Sequence, residues 1–122
     1  MILSVVERQE PLTRLLISAR FTEVDQASRK AACSALALYA RNRAPIDEAI
    51  RDRPEVLVLL IRRHFGLKVN MGRIADEQDV DDRTVRRWQA KLLKWLRPAE
   101  KRALDRLEEA LERARVVDAI VG

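Results

Sequence analysis

Cysteine is all but missing from this chain: one thiol, Cys33, stands among 122 residues. A lone cysteine closes no internal disulfide, so a disulfide-stapled fold is excluded, and Cys33, set in a helical apolar stretch, reads as small buried filler in a reducing cytoplasm. Glycine (3), threonine (3) and aromatic residues (4%) are also scarce. Without them the hairpin turns and β-rich strands of a sheet scaffold have little to draw on. Long hydrophobic runs are absent too. The longest, Val56 to Ile61, falls far short of the ~20 residues that cross a bilayer, so no membrane span is expected. The opening Met-Ile-Leu-Ser-Val-Val meets Glu7 and Arg8 before a signal-peptide core forms, and no leader is expected either.

Leucine (16), alanine (16) and arginine (19) supply the bulk instead, all strong helix formers. The expectation is an all-α protein, a single compact helical domain over 1–122, since domains of about 100–150 residues are the commonest size. The net charge of +5 is unevenly placed. Residues 1–61 carry 9 basic and 8 acidic side chains, residues 62–102 carry 12 and 6, and residues 103–122 carry 3 and 5. Basic excess gathered in one segment is the electrostatic footprint of a phosphate-binding surface, because neutralising phosphates releases their condensed counterions.

The helices follow from spacing and punctuation. Leu12, Leu15, Leu16 and Ala19 fall at helical intervals over Ser4 to Ala19, with Pro11 at a first turn or a break. Thr22 offers an N-cap, with Asp25 three residues on, for a helix to about Arg41 packing through Val24, Ala27, Ala31, Leu36 and Leu38. Ala44-Pro45 opens a short helical piece. Pro54 then starts a helix to about Phe65, apolar nearly all round and therefore the central one. Arg62, Arg63 and His64 suit the dipole at its end, and Gly66 its left-handed cap. His64, the only histidine, has no nucleophile or orienting carboxylate near it in sequence and reads as structural or phosphate-facing.

Residues 70–97 carry the functional signal. Asn70 caps a short helix with Ile74 and Ala75 inward, the chain turns near Gln78-Asp79, and Asp81 caps a second helix. Ala75 is small enough for the helices to cross closely, Val80 plugs the turn, and Val85 and Trp88 face inward. On the second helix Arg83, Arg86, Arg87, Ala90, Lys91, Lys94 and Arg97 recur on one face, and Val85, Trp88, Leu92, Trp95 and Leu96 on the other. The seven-residue step from Trp88 to Trp95 points to core rather than to base-stacking platforms, which favours duplex over single-strand binding. The carboxylates Asp76, Glu77, Asp79, Asp81 and Asp82 sit where caps and dipoles want them, and lack the glycine and terminal glutamate of a calcium loop. No metal or cofactor is expected, and without a nucleophile and base set or a glycine-rich phosphate loop the chain does not read as an enzyme.

Ile74, Ala75, Val80 and Val85 within residues 70–97 resemble the DNA-binding helix-turn-helix, with Asp79 where that family usually has glycine. The resemblance implies that the early outward positions of the second helix reach base edges in the major groove: Asp82, Arg83, Arg86, Arg87 and Ala90. Arg83, Arg86 and Arg87 match guanine's paired acceptors, and Lys91, Lys94, Arg97 and, on the preceding helix, Arg73 suit phosphates. More widely, Arg53-Pro54-Glu55-Val56-Leu57 and Arg62-Arg63-His64-Phe65-Gly66 ahead of this motif resemble region 4 of bacterial primary sigma factors and phage late antitermination proteins of the Q type. That resemblance implies a phage late-gene antitermination factor that binds double-stranded DNA and RNA polymerase in the cytoplasm of a bacterial host. A dimeric helix-turn-helix repressor or activator, and a protein-interaction module on the same scaffold, are the alternatives.

Past Pro98 a further helix is expected over 98–121, with Leu104, Leu107, Leu111 and Ala114 at heptad spacing, the stripe moving to Val117 and Val121 beyond. It either packs on the N-terminal helices or forms a homodimer seam or a partner-protein surface.

Overall fold

Six helices and no strand make up the described residues of the chain, 9–21 and 25–121 with side chains as far as Val116, in a computed structural model. The expected all-α class is what is found. In chain order the helices are α1 (Pro11–Arg20), α2 (Gln26–Arg43), α3 (Glu48–Arg51), α4 (Pro54–His64), α5 (Met71–Gln78) and α6 (Asp82–Val121). The expected start of the first helix at Ser4, the Thr22 cap, Val24, and the stripe through Val117 and Val121 lie outside the described residues or side chains.

Prolines open two of the helices. Pro11 and Pro54 each occupy the first turn of α1 and α4, where a missing N–H costs nothing and φ is preset. α2 starts one turn later than a Thr22 cap implies: Asp25 is its N-cap and accepts the Ser28 N–H at 2.8 Å. Its inward face also differs from the expected one. Ala32, Cys33, Leu36, Ala37 and Ala40 are buried, whereas Ala27 and Ala31 are exposed and Leu38 is 63% exposed. Two residues along a helix turn through roughly 200°, so Leu36 and Leu38 cannot share one stripe. The short piece after Ala44-Pro45 begins only at Glu48.

α4 is the central helix, as its apolar sequence requires. Val56, Leu57, Leu60 and Ile61 are each at most 1% exposed, and α4 packs on α2 and α3. Burying one such aliphatic side chain is worth roughly 1.5–3 kcal/mol. Arg29, itself buried, ties the helix ends together by donating to the Ala19 carbonyl at 3.0 Å and the Phe65 carbonyl at 2.5 Å. Cys33 is fully enclosed, and burial pushes its thiol up to about 11 against the opposing charges of Arg62 and Arg29. At that value it stays a neutral apolar filler near pH 7.

Pro98 does not end the second helix of the motif. α6 runs unbroken through it for 40 residues, about 60 Å at 1.5 Å per residue. An interior proline costs about 3 kcal/mol by freeing the carbonyl four residues back and crowding it. Here that carbonyl belongs to Lys94, on the exposed side, while Leu92, Leu96, Ala99 and Ala103 on either side of the proline are buried. Water can satisfy the freed carbonyl, and the continuous apolar stripe holds both halves in one helix. The stripe itself runs through Ala99, Ala103 and Leu107 rather than through Leu104, which is 38% exposed. Leu107 meets Ile17 of α1, with Phe21, Ala110, Leu111 and Ala114 around them. The last helix thus packs on the N-terminal one.

Candidate nucleic-acid interface

Local chemistry sets the entry into the motif. Gly66, at φ 82°, closes α4, with the Leu67 N–H donating to the Arg62 carbonyl at 3.0 Å. Asn70 then caps α5 by accepting the Arg73 N–H at 3.1 Å. At the other end Asp79 takes the left-handed conformation at φ 53°, and the Val80 N–H donates to the Ala75 carbonyl at 3.1 Å. This six-to-one bond is the closure that glycine usually serves; a short carboxylate side chain tolerates the same backbone at modest strain. Asp81 caps α6 by accepting the Thr84 N–H at 2.7 Å. Hydrogen bonds from the Thr84 side chain and N–H, then the charges of Arg83 and Arg87, hold the Asp81 carboxyl below its ordinary range. The cap therefore stays ionised near neutrality.

Three residues separate α5 from α6, and the inward positions pack as the spacing requires. Ile74, Ala75, Val85 and Trp88 are at most 4% exposed, and Val80 packs against the same core. Trp88 belongs to the core rather than to a stacking surface, with the Arg53 guanidinium 5.3 Å from its ring centroid. Arg53 also donates to Gln78 Oε1 at 2.8 Å, which fixes the start of α4 against the end of α5. The relative placement of α5 and α6 is thus held by a buried apolar contact and one polar clamp.

The outward positions of α6 form a surface. Asp82, Arg83, Arg86, Arg87 and Ala90 are all exposed, as are Lys94 and Arg97 further along. Arg83, Arg87, Ala90, Lys94 and Arg97 follow one another at alternating four- and three-residue steps, which keeps them on a single stripe; Asp82 and Arg86 flank it. None of these charged side chains has an ion pair or side-chain hydrogen bond among the described residues. Arg73 and Lys91 differ. Arg73 pairs with Glu77 at 2.7 Å, and the half-buried Lys91 pairs with Asp47 at 2.6 Å. Their charge is partly answered within the chain, so of the phosphate candidates Lys94 and Arg97 are the freer.

Two further residues join this surface, Gln89 one turn after Arg86 on α6 and Arg63, which spacing along α6 does not reveal. Arg63, from the last turn of α4, and Gln89 line a groove of about 210 Å³ together with Met71, Gly72, Asp82, Val85 and Arg86. In the sequence Arg63 reads only as a cation suited to a helix end, because its approach to α6 depends on how α4 meets the motif. His64 has turned away from this face. Its Nε2 lies 2.7 Å from Glu100 Oε2, and Arg20 donates to Glu100 Oε1 at 2.5 Å. Burial pushes the Glu100 carboxyl up, but the hydrogen bonds from His64 and Arg20 and the Arg20 charge outweigh it and hold the group at about 2. The only histidine is therefore a structural link between α4, α1 and α6.

Set beside protein-family models, curated proteins and solved structures, the chain has no match in any of the three.

Proposed function

We propose that the chain is a transcription regulator that binds double-stranded DNA sequence-specifically by laying the first turns of α6 in the major groove. The observation that carries this reading is the row of exposed, unpaired cations Arg83, Arg86, Arg87, Lys94 and Arg97 on a helix whose opposite face is locked into the core. A solvated surface helix ordinarily answers its cations with carboxylates four residues away; over residues 82–97 only Asp82 is acidic against six basic residues. In this reading Asp82, Arg83, Arg86, Arg87 and Ala90 face base edges, and Lys94 and Arg97, with Arg73 and Lys91 once released from their carboxylates, hold phosphates.

Among regulators, a phage late-gene antitermination factor working with RNA polymerase is the form that the resemblance of residues 53–97 favours. Exposed Leu104 and Val116 on the far part of α6 supply apolar surface for a protein partner, whether polymerase or a second copy in a dimeric repressor or activator.

The test is a gel-shift measurement with the double variant Arg86→Ala/Arg87→Ala. Loss of the specific shift, with helical circular dichroism retained, is expected; normal binding by a folded double variant overturns the base-reading role. Terminator read-through in a purified transcription reaction supports antitermination, and an effect confined to initiation supports the ordinary regulator instead.

A further inference from the structure

We infer that the DNA site this surface prefers is built on G·C base pairs, at least two of them within the three or four pairs facing the first turns of α6. The inference rests on the DNA-binding reading above and adds to it the class of sequence that is read. From Arg83 to Ala90 the helix advances about 10 Å, the rise of about three base pairs at 3.4 Å each. Within that span the chemistry presented outward is narrow.

Arg83, Arg86 and Arg87 offer three guanidinium forks, all exposed and none in an ion pair among the described residues. A planar fork with two parallel N–H groups matches the O6 and N7 acceptors of guanine and meets no such pair on any other base. Asp82 supplies the complementary half. An ionised carboxylate only accepts, so it suits the cytosine N4 amino group and is repelled by the paired acceptors of guanine. Asp82 and Arg86 stand four residues apart, the spacing at which they would satisfy each other, yet no ion pair joins them. Both heads are left open to the groove.

The residue types that read adenine are scarce on this surface, one glutamine against three arginines. No asparagine faces outward on α6, and its one glutamine, Gln89, is half-buried in the groove beside Gly72 and Arg63. Ala90 offers a methyl group, enough to touch one thymine methyl but not to build an A·T-rich site.

Selection of the full-length chain's preferred duplexes from a pool with about ten random central base pairs tests this directly. The recovered duplexes are expected to share a core in which G·C pairs dominate, with guanines spaced one to three pairs apart. Arg83→Lys, Arg86→Lys and Arg87→Lys, made singly, keep the charge and remove the fork. One or more of them is expected to relax the preference at a single guanine by roughly five- to hundredfold, while affinity for a random duplex stays within about twofold. Recovery of an A·T-rich core, salt-sensitive binding with no enrichment at all, or lysine variants that keep the full preference overturns the inference and leaves duplex binding standing. Failure to bind any duplex overturns the DNA-binding reading itself.

Discussion

The two halves of α6 use charge in opposite ways. Over residues 82–97 six basic side chains face one acidic one, whereas over residues 99–121 five face six. Before Pro98 the exposed cations of the outer stripe are unpaired. After it four charged side chains are paired, Lys101 with Asp105 at 2.9 Å, Arg106 with Glu10, and Glu100 with both Arg20 and His64, while the exposed Arg102, Glu108, Glu109, Glu112, Arg113 and Arg115 make no ion pair among the described residues. Both halves bury one apolar stripe, as far as Ala103 in the main core and from Leu107 onward against Ile17 of α1, so possession of a buried stripe does not separate them. What separates them is the sign of the exposed face, almost wholly cationic before Pro98 and a mixture of cations and carboxylates after it. A face of one sign is costly in self-repulsion and attracts anions, whereas the mixed face is nearly neutral and its ion pairs to Arg20, His64 and Glu10 tie α6 to its neighbours.

The strongest test of this contrast removes two charges from each half in turn. Arg86→Ala/Arg87→Ala is expected to weaken binding to a selected duplex by roughly thirtyfold or more, since each lost base contact is worth roughly 1–3 kcal/mol. Arg113→Ala/Arg115→Ala, which takes the same charge from the other half, is expected to leave binding within about twofold in the same gel-shift titration. Equal losses from the two pairs would reduce the basic face to a mere net-charge effect.

Next in size is the linkage at Glu100. Glu100→Ala leaves Arg20 and His64 facing each other, with Arg20 Nη2 and His64 Nε2 at 3.3 Å. A loss of about 2 kcal/mol in urea unfolding is expected, below the value for a fully buried pair because Arg20 is partly exposed. The pH dependence has a definite sign. The Glu100 carboxyl is depressed from 4.5 to about 2, so its stabilisation is complete above about pH 5 and drains away as pH falls toward 2. Acid unfolding of the natural chain is expected to steepen across that window, and the Glu100→Ala variant to lose that part of the slope. An unchanged acid limb would detach the cluster from stability.

Pro98→Ala probes the junction between the halves. It restores an N–H donor for the Lys94 carbonyl and is expected to raise stability by about 1–2 kcal/mol, seen as a Tm higher by several degrees. Lys94→Ala carries the smallest effect. It should weaken all duplexes alike and lower the slope of log affinity against log salt by about 0.9, one phosphate contact.

Much of the motif was legible because its determinants lie within five residues of one another. Asn70 and Asp81 cap their helices through N–H groups three residues on, Gly66 takes a left-handed conformation because it lacks Cβ and Asp79 because its short carboxylate tolerates one, and a 3.6-residue repeat separates Val85, Trp88, Leu92 and Leu96 from the arginine face. Such rules weaken where many small residues compete. In α2 alanine is so frequent that the inward stripe was not marked by polarity, and Leu38 fell on the exposed side.

The sequence by itself determined an all-helical chain, the two caps and turn of the motif, and the basic face of its second helix, because each depends on neighbours along one helix. Only the tertiary structure decided that α6 continues through Pro98, since the stripe that sustains it is buried by α1 and α2. Only the tertiary structure brought His64 to Glu100 and Lys91 to Asp47, partners 36 and 44 residues apart. Arg63 likewise joins the groove beside Arg86 through the packing of α4 on its neighbours. Contacts of that reach are set by how whole helices pack, and no spacing along a single helix encodes them.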